Sequence, residues 1–315
     1  MFLKFFFRRL LFSVPTIFGV ATLAFLLGQL IPGDPAIAAL GLDLDGFSTV
    51  DPEELERVRT ELGLDRPVFL QYVSWLGHAL QGDLGRSSVN NEPVIALILR
   101  ALPNTMLLLF MTIVSASIIG VILGVVSAIH RGKTTDFVAR MIAIIGVSTP
   151  TFWLALVLIL LFAFHLDLFP MNGSVAEHGF IALVLPTASI AMHPAALIAR
   201  MTRSSMLEVL SQDMIRTATA KGLSRWRVIF RHGLPNALSP VITVIGFQFA
   251  NLVGGAVAVE VVFTMPGLGN LLINSIFEND LRVMQGVVLI VGITFALTNL
   301  GVDMLYAIID PRIEL

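Results

Sequence analysis

Six apolar blocks, roughly 9–31, 102–129, 138–164, 181–199, 237–262 and 284–306, constrain this chain more than any other feature. A bilayer core takes about 20 residues of helix to cross, and every block is close to that length or beyond it. A lone strand in lipid would leave its backbone N–H and C=O groups unpaired, so each block has to be helical. The expected fold class is therefore all-α: a polytopic membrane protein with six transmembrane helices. Only 13% of residues are charged, against about 25% in a soluble domain, which excludes an ordinary soluble enzyme. The 315 residues include no cysteine, and so no disulfide, thiolate metal site or cysteine nucleophile.

The first block follows Lys4, Arg8 and Arg9 and begins as a secretion signal would. Its apolar stretch exceeds the 7–15 residues (about) of a signal core, and no small-x-small cleavage site precedes Pro32-Gly33-Asp34-Pro35. It reads as a retained first span. Orientation follows from Lys and Arg. The segments 1–9, 130–140, 200–236 and 307–315 hold 14 of them, while 32–101, 165–180 and 263–283 hold 6. Both termini are thus expected in the cytoplasm of a multi-pass protein. Eleven of the 22 acidic residues lie between Asp34 and Glu92, on the other side.

Three segments are expected: an N-terminal transmembrane helix over 1–31, an extracytoplasmic insert over 32–101, and a five-helix core over 102–315 with a cytoplasmic loop at 200–236. In the insert, Asp51-Pro52-Glu53-Glu54 reads as an N-cap, an N1 proline and first-turn acids, with Gly63 as the stop. That predicts a short amphipathic helix presenting Leu55, Val58 and Leu62. Within the spans, Ala116, Gly120, Gly124 and Ala128 recur every four residues, as do Gly246, Ala250, Gly254 and Ala258. Such stripes let helix backbones approach closely; they suit a movable interface, but ordinary bundle packing is the commoner source, and they support a polytopic bundle and nothing sharper. Polar groups in lipid usually face a cavity or a partner, which makes Gln248, Asn251 and Glu260 candidates for lining a path. Thr294, Thr298, Asn299 and Asp303 stand on the last span. No chain of buried carboxylates or histidines, as a proton or sodium pathway needs, is apparent.

The loop 200–236 is the expected functional centre. It reads as a continuation of span four for two to three turns, then a helix from about Asp213 to Lys221, stopped by Gly222 in the left-handed conformation. Asp213 and Ser224 suit N-caps. Met214, Ile215 and Ala218 share one side of that helix, spaced to enter a partner's groove; a self-folded hairpin fits the same spacing.

Asp213 to Gly222, closed by Leu234-Pro235, resembles the cytoplasmic loop of ABC importer permeases, with its Glu-Ala-Ala core, a glycine, and Leu-Pro 13 residues on from that glycine. Arg216 and Thr217 depart from the first two core positions, Ala218 keeps the third, and His232 replaces an isoleucine. The form Arg216-Thr217-Ala218 with Ala220-Lys221-Gly222 is similar to the dipeptide, oligopeptide and nickel branch. So are Pro32-Gly33-Asp34-Pro35, Leu62-Gly63-Leu64-Asp65-Arg66-Pro67, Gly82-Asp83-Leu84-Gly85-Arg86-Ser87, Ser148 with Pro150 and Phe152, and Glu260 through Pro266-Gly267-Leu268-Gly269. Asp280-Leu281-Arg282 departs where Asp-Tyr-Pro is the pattern. The long insert resembles the first of the two paired permeases.

The resemblance implies the type I ABC importer permease fold, in the bacterial cytoplasmic (inner) membrane. It implies a second homologous permease forming a heterodimer with this chain, two ATPase subunits that bind MgATP, and an extracytoplasmic substrate-binding protein. Asp213, Arg216, Thr217, Ala218, Lys221, Gly222, Leu223 and Pro235 would then form the ATPase-coupling loop, with Ala218 close-packed. Pro266, Gly267 and Gly269 would lie at the outer mouth. This chain would bind no cofactor of its own, catalyse nothing, and meet membrane lipid but no nucleic acid; the cargo would be di- or oligopeptides.

Gly132-Lys133-Thr134 imitates the end of a phosphate-binding P-loop, but Ser127 stands where the motif needs glycine, and a membrane helix rather than a strand precedes it. His165, Asp167 and His178 share one outer loop and could hold a metal, although loop solvation explains them as well. The rival function is an ion-coupled secondary transporter, which would share the small-residue stripes.

Overall fold

The computed structural model describes residues 2–30, 52–61 and 65–309. The described residues form helices α1 (Phe2–Leu30), α2 (Pro52–Glu61), α3 (Val68–Leu80), α4 (Val94–Ile129), α5 (Thr134–Ser148) and α6 (Thr151–Leu158). These are followed by α7 (Val184–Leu210), α8 (Asp213–Ala220), α9 (Leu234–Val262), α10 (Leu268–Phe277) and α11 (Leu281–Ile309). No strand occurs among the described residues; a single bridge pairs Arg86 with Pro93. Five helical runs are long and apolar enough to cross a membrane, and the bent pair α5–α6 makes a sixth when counted as one span.

That bend is a correction to the sequence reading, which has one helical span over roughly 138–164. The two halves meet at 105°. The cause is local: Pro150 cannot donate to the ladder, and its ring drives the preceding residue out of the helical region. Thr149 accordingly sits at ψ 123°. The second span is also longer than its apolar block. Helix α4 starts at Val94 rather than 102 and runs for 36 residues, about 54 Å at 1.5 Å per residue. It therefore extends past the hydrocarbon at one end or both. In the insert, α2 forms where the proline and acids predict it; Asp51, Leu62, Gly63 and the side chain of Val58 fall outside the described residues, as does Pro32-Gly33-Asp34-Pro35. Helix α3, directly after Pro67, has no counterpart in the sequence reading.

The chain divides into two compact units. One comprises 106–265 with 1–9 and 298–315, and the other 10–105 with 266–297. In the first, α7 is the central helix, with Ile190, Ile198 and Met206 fully buried. The stripe on α4 packs against it: a methyl at Gly120 would stand 2.7 Å from the Ala195 carbonyl, and one at Gly124 would stand 2.6 Å from that of Ala199. On the other flank of α7, a methyl at Gly146 of α5 would stand 3.1 Å from the Met192 carbonyl. Helix α9 completes the core through Ala237 and Val241, and the Ser205 hydroxyl donates to the Ala237 carbonyl at 2.9 Å. The second stripe behaves differently. Ala250 is buried, but Gly254 and Ala258 are exposed, and a methyl at Gly254 would meet nothing within 4 Å.

In the second unit, Leu84, Val94, Ile98, Leu268, Val283 and Val287 form one apolar core. Asp280 caps α11 through the Val283 amide and accepts the buried Ser87 hydroxyl at 2.5 Å. The Asp83-Leu84-Gly85 turn needs glycine, because Gly85 has φ +80° and the Arg282 side chain lies against it. Phe25 of α1 packs edge-on to Tyr72 and tilted against Trp75 of α3, and the Thr22 and Tyr72 hydroxyls are 2.9 Å apart.

Candidate functional site

Helix α7 continues beyond the predicted span end and turns at Ser211-Gln212 into α8. The N-cap of α8 is Gln212, not Asp213: extended at ψ 155°, Gln212 offers its carbonyl to the Ile215 and Arg216 amides. Asp213 is the first helical residue, where its charge suits the helix dipole, and it accepts Arg216 Nη1 at 3.2 Å.

The end of α8 is closed by a Schellman pair. Leu223 N–H donates to the Ala218 carbonyl, and Gly222 N–H donates to that of Thr219, with Gly222 at φ +79°. The apolar contact that accompanies such a cap is present too, since Leu223 and Leu210 pack on Ile215, Ala218 and Val228. Ile215 and Ala218 are therefore buried within their own chain, which the spacing alone could not distinguish from a partner's groove. The outward face of α8 is Asp213, Met214, Arg216, Thr217, Thr219, Ala220 and the following Lys221.

Ser224 occupies the N-cap position of the next turn, Arg225–Arg227, without a side-chain bond. A π-helical segment, Val228–Gly233, then runs directly into α9, where Pro235 lies in the first turn. The proline removes one ladder donor and crowds the carbonyl four residues back, and a widened turn accommodates both. Asn236 Nδ2 donates to the His232 carbonyl at 2.7 Å and stands 4.0 Å from Met214 Sδ, so Pro235 begins α9 right beside α8.

The base of this loop is held by a residue the sequence reading missed. Asp136, in the first turn of α5, is 1% exposed. Its Oδ1 accepts Ser127 Oγ of α4 at 2.6 Å and Arg203 Nε of α7 at 2.8 Å. Its Oδ2 accepts Arg203 Nη2 and the Gly132 amide, both at 3.0 Å. Arg225 Nη2, from the loop itself, donates to the Ile129 carbonyl at 3.3 Å and satisfies one orphan acceptor at the end of α4. An acid three residues into a helix after Gly132-Lys133 was the available signal; its partner is 67 positions away.

The path candidates part company. On α9, Gln248 is buried, whereas Asn251 is exposed and donates to the Phe247 carbonyl at 2.8 Å. Glu260 is fully buried, and its carbonyl accepts the Met265 amide at 2.8 Å in the turn that closes α9. Pro266, Gly267 and Gly269 belong to the other unit. There the Pro266 carbonyl accepts Asn104 Nδ2 at 2.8 Å, Gly267 is the N-cap of α10, and Gly269 is buried in its first turn. Next to Gly267, the Leu268 amide donates to Thr105 Oγ1. His165 Nδ1 lies 2.6 Å from the Leu160 carbonyl, and among the described residues no three potential metal ligands converge.

Residues 120–315 match the family described as binding-protein-dependent transport system inner membrane component, and residues 2–109 match its N-terminal companion. The chain belongs to this family. A Brucella suis (biovar 1, strain 1330) protein with the provisional name of a peptide transport system permease is 43% identical over 312 residues, 98% of each chain. The glutathione transport system permease protein GsiC of Escherichia coli (strain K12) is 40% identical over 307 residues, 98% of this chain and 97% of its own. The inward-facing MetNI methionine ABC transporter shares the fold, with a TM-score of 0.57 at 20% identity over 68% of this chain and 96% of that one. This chain is thus a permease subunit of an ABC importer, and the secondary-transporter alternative falls away.

Proposed function

We propose that the permease forms half of a translocation path for di- or oligopeptides, delivered by an extracytoplasmic binding protein to the side that carries residues 32–101. The names of its relatives support a peptide cargo. The Lys and Arg distribution supports cytoplasmic termini and a cytoplasmic α8. The other half of the path is a second, homologous permease. The exposed Gly254 and Ala258 of α9, small residues spaced for close helix approach, are the surface offered to it. Two ATPase subunits bind and hydrolyse MgATP, and this chain supplies their docking helix. Exposed Asn251 serves the path, buried Gln248 and Glu260 support its wall from within the chain, and Pro266, Gly267 and Gly269 serve its outer mouth.

The observation that carries this reading is the build of α8. It is a short helix closed at both ends, fixed to its own chain by Ile215 and Ala218, and presenting Arg216, Thr217 and Lys221 outward. Ala218 and Gly222 hold the helix at its angle, and the outward residues meet the ATPase. Gly222→Leu tests this. A left-handed backbone costs an L-residue about 1–2 kcal/mol, enough to reduce correctly docked helix about tenfold. No neighbour lies within 4 Å of a new Cβ, so the chain still folds and inserts. ATP-driven uptake of a labelled peptide should fall by a like factor at unchanged membrane abundance. Unchanged uptake would remove α8 from the coupling role.

A further inference from the structure

We infer that the cavity between α4, α5 and α7 is a binding site for the anionic headgroup of a membrane phospholipid. The cavity measures about 550 Å³, and its two ends differ in chemistry. Helices α5 and α7 run antiparallel along it: Asp136 meets Arg203 at one level, and Gly146 meets Met192 and Ala196 at another. Arg140, Arg200, Arg203 and Ser204 consequently line one end. Ile144, Val147 and Ala196 line the other, four to eight residues and so about 6–12 Å further along at 1.5 Å per residue. A basic end and an apolar end at that separation match a headgroup and the start of its acyl chains.

Charge favours an anion at the basic end. Three guanidinium groups face one carboxylate. Asp136 holds Arg203 at 2.8 Å and Arg140 only at 3.6 Å. Among the described residues Arg200 makes no ion pair or hydrogen bond. Two positive charges therefore remain unneutralised beside an apolar wall, on side chains that are exposed and so within reach of an anion. Basic pockets between transmembrane helices take lipid headgroups for this reason. The surroundings select a lipid over a soluble anion. Phe137, Ile142 and Ile145 on the outward face of α5 are 43–56% exposed, a surface fit for acyl chains and a poor entrance for a hydrated ion.

The test uses the full chain, purified in mild detergent and offered phosphatidylglycerol and phosphatidylcholine together, with retained lipid measured by mass spectrometry after gel filtration. Phosphatidylglycerol should be retained in preference. Arg200→Gln and Arg140→Gln should each lower that retention about five-fold, the worth of one arginine near an anionic surface. Arg200→Lys should preserve it, and Arg227→Gln, exposed and outside the cavity, should leave it unchanged. Equal retention of the two lipids would overturn the inference, as would a preference that survives both glutamine variants. Displacement of phosphatidylglycerol by millimolar inorganic phosphate would overturn it too, by making this a soluble-anion site. The assay contains no ATPase and no transport step, so its failure is separate from any failure of the importer reading.

Discussion

Asp136→Ala destabilises the permease by about 3–5 kcal/mol, the usual cost of removing one partner from a buried ion pair. The substitution leaves three groups without their acceptor. The Arg203 guanidinium loses both bonds, at 2.8 and 3.0 Å, and Ser127 Oγ and the Gly132 amide lose theirs. Arg203→Ala should cost less, because the carboxylate keeps Ser127 and Gly132 and has Arg140 within 3.6 Å. Asp136→Ala with Arg203→Ala should be more stable than the sum of the two single changes, since the double variant buries no lone charge. Thermal unfolding of the detergent-solubilised chain measures all three. Because the carboxylate is buried and the guanidinium is only a quarter exposed, moderate salt should change little. A stability for Asp136→Ala within about 1 kcal/mol of the parent, the ordinary surface-to-core median, would contradict this account of the node.

Gly124→Leu is expected to be as damaging, for a steric reason. The first added carbon would lie 2.5 Å from Thr202 Cβ and 2.6 Å from the Ala199 carbonyl oxygen. One of these is backbone, so no rotamer change relieves the contact and α4 must move away from α7. Overpacking costs about 1–3 kcal/mol in general, and a rigid backbone clash stands at the top of that range. Gly254→Leu is the matched control: its added Cβ has nothing within 4 Å, and the change should leave unfolding of the isolated permease unchanged. If α9 presents this face to the second permease, the same variant loses its partner during purification. Equal unfolding temperatures for Gly124→Leu and Gly254→Leu would show that the α4 stripe is not a close-packed seam.

Local signals were legible in the sequence and distant pairings were not. Gly222 could be read as a left-handed stop because the residues that make the cap, Ala218, Thr219 and Leu223, lie within five positions of one another. Pro52 with its acids announced α2 in the same way. The shift of the N-cap from Asp213 to Gln212 is a choice between adjacent residues that propensity decides poorly, since either carbonyl could have begun the ladder. Hydropathy averaged across Thr149-Pro150 and concealed a bend that the proline itself marked. The inward direction of Ile215 and Ala218 depends on Val228 and Leu210, which periodicity on α8 cannot supply. The Asp136–Arg203 and Ser87–Asp280 bonds join residues 67 and 193 positions apart, and a single sequence records neither. The family resemblance reached the function without passing through any of these contacts.

The central proposal is that this chain works as one half of an ATP-driven importer, coupled through α8. The most direct measurement is to purify the tagged permease in mild detergent from its own cell, identify the proteins that accompany it, and assay ATP hydrolysis. A second six-span permease together with ATPase subunits is the expected result, with binding-protein-stimulated hydrolysis reduced about tenfold in Gly222→Leu. A lone homo-oligomer without ATPase, or stimulated hydrolysis that ignores Gly222→Leu, would contradict it.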